Sequence, residues 1–164
     1  LYNRRYFDEK ATIEWARSFR EKIPMCIVLL DIDYFKQVND VYGHVKGDEY
    51  LQAVSVALKK SLARKTDMVA RYGGEEFILL LPHTDLSGGA LIAEKMRAAI
   101  QDLNLEHPTL PSVSISLGVC SVIPNTDIKV ENLIKCADLA LYSAKDNGRN
   151  RVEELEFSLE SPKH

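Results

Sequence analysis

Apolar residues recur along this chain at two spacings, one typical of helices and one of buried strands. The segment before Pro24 predicts a helix, because its apolar residues repeat every four positions. The run from 25 to 30 is almost continuously apolar and partly β-branched, as expected of a central strand covered on both faces. The predicted helical face consists of Phe7, Ala11, Trp15 and Phe19.

The middle of the chain predicts a helix followed by a β-hairpin. The polar connection after the first strand contains Asn39, Gly43 and Gly47. Residues 48 to 62 then repeat leucine and valine at helical spacing. Two short apolar runs separated by a Gly-Gly turn predict a hairpin over residues 67 to 81.

The last third of the chain predicts a helix, a strand and a final helix. Residues 86 to 103 carry apolar side chains at helical spacing, and residues 113 to 119 alternate as a half-buried strand. Gly148 is placed to end the final helix. The acidic segment from 153 to 164 has little periodicity and predicts a flexible tail. The final helix is marked by Leu133, Ala137, Leu141 and Ala144.

This order of elements predicts an α/β fold, an α+β sandwich in which helices pack against one sheet. It contains a ferredoxin-like βαββαβ core, in which the first strand lies beside the hairpin. Asp31 at the end of that strand and Glu75 in the hairpin turn therefore converge on one point. Two carboxylates placed together can hold one or two Mg²⁺, an arrangement suited to nucleotidyl transfer.

Composition is that of one ordinary globular domain. The 164 residues are 46% hydrophobic and 27% charged, and the longest apolar runs are too short to span a bilayer. A net charge of -3 argues against binding to a nucleic-acid duplex. The three cysteines lie in apolar contexts without CxxC spacing, which favours buried free thiols in a reducing cytoplasm over disulfides or zinc. These are Cys26, Cys120 and Cys136.

The heptad RYGGEEF, residues 71 to 77, carries the strongest chemical signal. Adjacent glycines allow a turn with positive φ and let a ligand approach the backbone, while the acids offer hard oxygen donors. That combination suits a metal-bound nucleotide. Taken alone, the heptad favours an ordinary Gly-Gly hairpin whose acids are solvated, and the motifs that follow reverse that interpretation.

Six ordered motifs resemble those of GGDEF-type diguanylate cyclase domains, here with a GGEEF signature. They are NRRYF, DIDYFKQVND, YGHVKGDEYL, RYGGEEF, VSISLGV and ALYSAKDNGRN. The resemblance covers Asn3 to Val152, so it implies a catalytic domain over residues 1–152. It further implies the palm-like fold of nucleotide cyclases and condensation of two GTP into cyclic di-GMP with release of two pyrophosphates. Two Mg²⁺ or Mn²⁺ ions per active site are implied as cofactors.

The same resemblance implies roles for the acidic residues. Asp31, Glu75 and the backbone carbonyl of Ile32 would coordinate the metals, with Glu76 assisting. Glu75 also corresponds to the proton acceptor for the attacking 3′-hydroxyl, although a metal ligand is a poor free base. Lys36 would take part in catalysis by contacting phosphate.

Further positions match the family's nucleotide contacts. Asn39 and Asp48 would read the guanine edge, with His44 lining the pocket, and Gly73 and Gly74 would let the backbone pass close to the nucleotide. Each polar residue also has a structural alternative, as a turn residue, a helix N-cap or a loop histidine.

Two basic residues match phosphate contacts near the end of the final helix. These are Lys145 and Arg149. Cations at this place also favour the helix dipole without any ligand.

An inhibitory product site is implied by RKTD, residues 64 to 67. Arg64 and Asp67 would bind cyclic di-GMP, with Lys95 standing where the family often has an arginine. The structural alternative places the basic residues at a helix C-terminus and Asp67 at the start of a strand.

Two GTP molecules must face each other, so the resemblance implies an antiparallel homodimer as the active form. The chain starts within the family's opening motif, and we expect a longer parent protein with an upstream sensory or dimerisation domain. Two other functions remain open at this point: a noncatalytic module that senses GTP or cyclic di-GMP, and a different palm-fold nucleotidyltransferase. No nucleic-acid partner and no membrane contact by this segment are expected.

Overall fold

A computed structural model describes residues 1–159 of the chain, and within them five helices and five strands are formed. The helices are α1 Arg4–Glu21, α2 Phe35–Tyr42, α3 His44–Lys60, α4 Leu86–Asp102 and α5 Val130–Asp146. The strands are β1 Met25–Ile32, β2 Met68–Arg71, β3 Glu76–Pro82, β4 Ile115–Val122 and β5 Val152–Glu154. Within this range, no helix is long and apolar enough to cross a membrane.

The strands form one sheet with the order β2-β3-β1-β4-β5. Strand β1 lies at its centre and pairs antiparallel with β3 on one side and β4 on the other. The predicted ferredoxin-like core is therefore confirmed. Its register sets Asp31 directly opposite Glu76, which brings the end of β1 to the hairpin turn.

Helices cover both faces of the sheet. Helices α2, α3 and α4 pack on one face and α1 and α5 on the other, so β1 is buried from Met25 to Leu30 as predicted. Gly118 lets α5 lie directly on β4, because a Cβ there would meet the Leu141 nitrogen at 2.1 Å and the Ala137 oxygen at 2.3 Å. This close packing sets the distance between α5 and the sheet near the end of β1.

The buried face of α1 differs from the predicted one. The side chains that point inward are Phe7, Ala11, Glu14 and Ser18, while Trp15 is half-buried and Phe19 is 41% exposed. A step of four residues advances about 40° beyond a full helical turn, so repeated steps of four rotate away from the core.

Strand β4 is buried on both faces as far as Cys120, not half-buried as its alternation predicted. Helices α4 and α5 cover its two sides. Ser114 and Ser116 look like solvent-facing positions in the sequence, but their hydroxyls donate to the buried carboxylate of Asp33.

The connection after β1 is helical, which corrects the predicted polar loop. Asn39 lies inside α2, and α3 begins at His44, so Asp48 is a helical residue rather than an N-cap. The two helices join through Gly43, whose φ of +91° is accessible to glycine. Helix α2 was missed because only two of its eight residues are buried.

The predicted tail is partly structured. Glu153 and Glu154 belong to β5, which pairs parallel with β4, and Leu155 and Phe157 pack against the core. A three-residue edge strand has too few positions to show a period. The rest of the predicted tail, residues 160–164, lies outside the described residues.

The cysteines do not all stay free. Cys120 on β4 and Cys136 on α5 form a disulfide with their Cα atoms 6.0 Å apart, whereas Cys26 is free and buried. Burial raises the pKa of the Cys26 thiol, so it is unreactive. The prediction of three free thiols is wrong, because the disulfide depends on how a helix packs on a strand and not on sequence spacing.

Candidate active site

The end of β1 and the hairpin turn place the predicted acidic residues together. Asp31 and Glu76 are cross-strand neighbours, and directly opposed residues direct their side chains to the same face of a sheet. The Ile32 N–H donates to the Glu75 carbonyl at 3.3 Å, which ties the turn to β1. The predicted convergence of Asp31 and Glu75 therefore exists in the fold.

Asp31 is only half satisfied. Its Oδ2 accepts from the Lys145 ammonium, whereas Oδ1 is buried and has no hydrogen-bond partner among the described residues. Burial raises the pKa of Asp31, the negative charges of Glu75 and Asp33 raise it further, and Lys145 opposes them. A buried acceptor without a partner favours the arrival of a cation or a donor.

Glu76 adds a second perturbed carboxyl beside Asp31. Burial raises the pKa of Glu76 most, followed by the negative charges of Asp31 and Asp138, while Lys145 lowers it. The site thus concentrates acidic groups around one lysine. Such a site gains from an additional positive charge.

These residues fit Mg²⁺ or Mn²⁺. Within residues 1–159, no group of three or more His, Cys, Asp or Glu side chains is arranged so that it could hold a metal ion. Mg²⁺, however, commonly uses one or two carboxylates and completes its shell with water and substrate phosphates. The unpartnered Asp31 Oδ1, together with the neighbouring Glu75 and Glu76, supplies the hard oxygen donors that this mode requires.

The Gly-Gly turn is closed by Arg71. Its guanidinium donates to the Gly74 carbonyl at 3.0 and 2.6 Å, while the Tyr72 and Gly73 N–H groups donate to the Glu76 carbonyl. Neither glycine adopts positive φ, so that one of the two roles predicted for them is wrong. Among the described residues, a Cβ on Gly74 would meet nothing within 4 Å and one on Gly73 would meet the Glu76 side chain at 3.6 Å, so the turn is open above Gly74.

The NRRYF motif supports the same turn from outside. The Arg4 guanidinium lies 4.1 Å from the centroid of the Tyr72 ring, and that ring meets Phe7 edge-on at 6.0 Å. Asn3 caps α1 by accepting from the Tyr6 N–H at 2.9 Å. Sequence reasoning gave Arg4 and Tyr72 no role, although their position inside family motifs was a usable signal.

The predicted guanine contacts lie where α2 meets α3. Asn39 packs directly on Gly47, since a Cβ at Gly47 would stand 1.9 Å from the Asn39 Oδ1. His44 and Asp48 are exposed at the start of α3. Asp48 shares a cavity of about 650 Å³ with Arg71, but Asn39 and His44 do not line it.

The predicted phosphate contacts approach from two sides. Lys36 is exposed in the first turn of α2, whose N-cap Tyr34 supplies no side-chain cap. Arg149 stacks on Tyr34 at 4.3 Å from the ring centroid and donates to the Lys145 carbonyl at 3.3 Å. Tyr34, Lys145 and Arg149 line one cavity of about 440 Å³. The contact between Lys145 and Asp31 connects this cavity to the acidic site. A favourable interaction of Lys145 with the dipole of α5 does not by itself account for that contact.

Asp33 is a site residue that sequence reasoning missed. It is 2% exposed and accepts from Ser114 Oγ, Ser116 Oγ and the Asn150 N–H at 2.7, 2.6 and 3.0 Å. The available signal was a second acid two positions after Asp31, with two serines on a later strand.

Arg64 and Asp67 bind each other. Arg64 Nη2 lies 3.3 Å from the Asp67 carboxylate, and the guanidinium also donates to the Pro82 carbonyl at 2.9 Å and to the Thr84 hydroxyl. Burial raises the pKa of Asp67 and Arg64 opposes that shift. Helix α3 ends at Lys60, so the helix-terminus alternative for Arg64 is wrong.

The third predicted residue of the product site lies on another element. Lys95 is exposed on α4, the helix that follows the Pro82 and Thr84 contacts of Arg64 along the chain. The structure therefore shows Arg64 and Asp67 as one ion pair and Lys95 as a separate surface cation.

Comparison with known proteins gives a consistent result. The family model "Diguanylate cyclase, GGDEF domain" matches residues 1–151. Diguanylate cyclase A of Treponema denticola is 41% identical over 137 residues, which cover 82% of this chain and 36% of that protein. This chain spans less than half the length of the curated relatives that it matches, with shares of 43%, 36% and 33% for three of them.

Solved structures share the fold. The coiled coil and GGDEF domain of DgcB from Caulobacter crescentus, in complex with c-di-GMP, superposes with a TM-score of 0.85 at 29% identity, covering 94% of this chain and 82% of that chain. The active GGEEF domain of a diguanylate cyclase from Vibrio cholerae gives 0.82 at 33% identity, covering 94% of this chain and 97% of that chain.

Proposed function

Because this chain belongs to the GGDEF family of diguanylate cyclases, we propose that it condenses two GTP molecules into cyclic di-GMP and releases two pyrophosphates. The observation that carries the proposal is the buried, unpartnered oxygen of Asp31 beside the intact GGEEF turn. A chain that had lost activity would have no reason to keep such a costly acceptor.

The acidic residues have different roles in the proposed reaction. Asp31, Glu75 and the Ile32 carbonyl would hold two Mg²⁺ or Mn²⁺, with Glu76 assisting. When bound, the ions would neutralise charge at the phosphates and lower the pKa of the attacking hydroxyl. Glu75, half-buried next to the exposed glycines of the turn, accepts the proton of the 3′-hydroxyl directly or through water.

The remaining residues bind and orient the nucleotide. Lys36, Lys145 and Arg149 contact the triphosphate, since all three lie on elements that surround the end of β1. Asn39 and Asp48 read the guanine edge, with His44 beside them. Gly73 and Gly74 leave the turn uncovered, so the nucleotide can lie against its backbone.

The proposed reaction requires two chains, and its product is proposed to inhibit it. One site of this kind holds one GTP, so two chains pair antiparallel and share the reaction. Arg64, Asp67 and Lys95 bind cyclic di-GMP as an inhibitor; the DgcB GGDEF domain was solved in complex with c-di-GMP, which supports binding of the product by this fold. We place the domain in the cytoplasm, where GTP is available, within a longer protein that carries an upstream sensory or dimerisation domain.

Product analysis tests the proposal directly. Concentrated protein is incubated with Mg²⁺ and either GTP or ATP, and products are separated by chromatography and identified by mass. Cyclic di-GMP from GTP alone is expected. GTP binding without product, even in a forced dimer, would replace the cyclase with a sensing module, and a product from ATP would indicate a different nucleotidyltransferase.

A further inference from the structure

Asp33 is a buried carboxylate without a basic partner. It is 2% exposed, and no Lys or Arg within residues 1–159 forms an ion pair with it. Its two oxygens are instead used by three neutral donors: Oδ1 by Ser116, and Oδ2 by both Ser114 and the Asn150 N–H. Burial of a charge is costly, so a carboxylate held in this way needs a reason to be kept.

The three donors join parts of the chain that are far apart in sequence. Ser114 and Ser116 belong to β4 and the residues just before it, and Asn150 belongs to the loop after α5. The Asp33 N–H also donates to the Ser114 carbonyl at 2.9 Å. The Asp33 carboxylate therefore connects the loop after α5 to the end of β1 and to the start of β4.

The residues next to these anchors form a stacked pair. Tyr34 follows Asp33, Arg149 precedes Asn150, and the Arg149 guanidinium lies 4.3 Å from the Tyr34 ring centroid. Tyr34, Arg149 and Asn150 have φ values of 49°, 64° and 46°. Left-handed backbone at a non-glycine residue persists only where surrounding contacts hold it.

We infer that Asp33 is a positioning residue: its hydrogen bonds to the Asn150 N–H and the two serines hold Arg149 on Tyr34, where Arg149 meets the triphosphate. The inference rests on the proposed function in one respect, that Arg149 contacts phosphate. Asp33 does not touch the nucleotide, because both its oxygens are occupied by protein donors.

The side chain of Asn150 is hydrogen-bonded as well, so the contribution of its side chain can be separated from that of its backbone. Arg97 Nη1 donates to the Asn150 Oδ1 at 3.0 Å, and the Asn150 Nδ2 donates to Gln101 at 3.3 Å. These bonds attach the loop to α4. Among the hydrogen bonds of residues 1–159, only the Asp33 bond attaches the Asn150 backbone to the segment that carries Tyr34, so loss of Asp33 frees the stacked pair while leaving the loop on the protein.

A double-mutant cycle tests the inference by binding, not turnover. The probe is GTP with a methylene bridge between its α- and β-phosphates, titrated by calorimetry with Mg²⁺. Asp33→Ala weakens binding about tenfold in the wild-type background and less than about twofold in the Arg149→Ala background. Equal losses in both backgrounds would overturn the inference, because Asp33 would then act independently of Arg149.

Two matched variants sharpen the test. In a Lys36→Ala background the Asp33→Ala loss stays about tenfold, since the Asp33 carboxylate accepts from Ser114, Ser116 and Asn150 and not from Lys36. Asp33→Asn retains binding within about threefold, because an amide oxygen can accept from Asn150 and the amide NH₂ can donate to Ser116. An Asn variant as weak as the Ala variant would show that the charge is needed, and would overturn a positioning role.

The folded state is checked by amide NMR spectra. If Asp33→Ala does not give the dispersed spectrum of a folded domain, Asp33→Ser replaces it in the cycle. Failure of the wild type to make cyclic di-GMP would count against the proposed function alone, while the binding cycle would still decide the role of Asp33.

Discussion

Two carboxylates at the end of β1 differ in how completely they are hydrogen-bonded. One oxygen of the carboxylate proposed to bind metal lacks a partner among the described residues, and the carboxylate proposed to support the site has a full set. Within residues 1–159, one Asp31 oxygen has no hydrogen-bond partner, whereas both oxygens of Asp33, two residues later, accept hydrogen bonds. An unpaired buried acceptor costs roughly 1–3 kcal/mol. The contrast separates a binding residue from a supporting one within one short motif.

Glu75→Gln is expected to abolish turnover and leave the fold intact. The substitution removes a negative charge from the half-buried Glu75, whereas the turn is held by the Arg71 guanidinium and by backbone N–H groups. The rate of cyclic di-GMP formation should fall by roughly a hundredfold or more, since a metal-binding group is worth several kcal/mol. Glu9→Gln, far away on α1, serves as the control, and retained activity in Glu75→Gln would refute its metal role.

Arg64→Ala is expected to relieve product inhibition with little change in initial rate. The structure adds a second effect, because Asp67 would lose the guanidinium that pairs with its buried carboxylate. The free energy of unfolding should fall by roughly 1–3 kcal/mol. Inhibition curves with added cyclic di-GMP and urea denaturation measure the two effects.

The Arg64→Ala, Asp67→Asn double variant is the matched control. It removes the unpaired charge, so part of the stability returns while inhibition stays relieved. An unchanged inhibition curve in both variants would leave Arg64 as a purely structural link from the β2 approach to Pro82 and Thr84.

At the scale of elements, the packing of α5 on β4 decides where Lys145 meets Asp31. Gly118→Ala should lower the free energy of unfolding by roughly 1–3 kcal/mol, because its Cβ would collide with α5 backbone atoms and push the helix outward. Turnover should fall too, since α5 carries Lys145. Urea denaturation provides the stability measurement.

Gly74→Ala is the comparison variant, which should lower activity without lowering stability. A Cβ at Gly74 meets no protein atom within 4 Å, so stability should stay within about 0.5 kcal/mol of wild type while activity falls. If Gly118→Ala is as stable as Gly74→Ala, α5 can move away from β4 at no cost and does not fix the position of Lys145.

The Cys120–Cys136 disulfide joins the same two elements. It closes a loop of 16 residues, for which reduction should lower the free energy of unfolding by about 3 kcal/mol. Protein purified without reductant and then denatured should show one reactive thiol, that of Cys26. Three reactive thiols would restore the prediction of free cysteines, and Cys120→Ser with Cys136→Ser should remove the response to reductant.

At the scale of the whole molecule, the described residues of one chain form one acidic site, whereas the proposed reaction joins two nucleotides. The rate per chain should therefore rise with protein concentration and level off when dimers predominate. Kinetics and sedimentation measured over the same dilution series check this expectation. A rate per chain that stays constant while sedimentation reports a monomer would exclude a shared site.

The sequence by itself determined the type and order of most elements, the hairpin and the position of the signature acids. These features depend on local periodicity and on residues that are neighbours in the chain, such as the buried run of β1 and the Gly-Gly turn. The convergence of Asp31 with Glu75 also followed, because the βαββαβ order leaves the first strand only one place beside the hairpin.

Only the tertiary structure decided the contacts between distant segments. The Asp33 network, the Arg64–Asp67 pair and the Cys120–Cys136 disulfide leave no periodic signal, because each depends on which side chain from elsewhere fills a neighbouring space. The serines of β4 show why: their alternation indicates an exposed face, but a buried carboxylate 81 and 83 residues earlier accepts both hydroxyls. Local pattern sets the elements, and packing decides which polar groups lie inside.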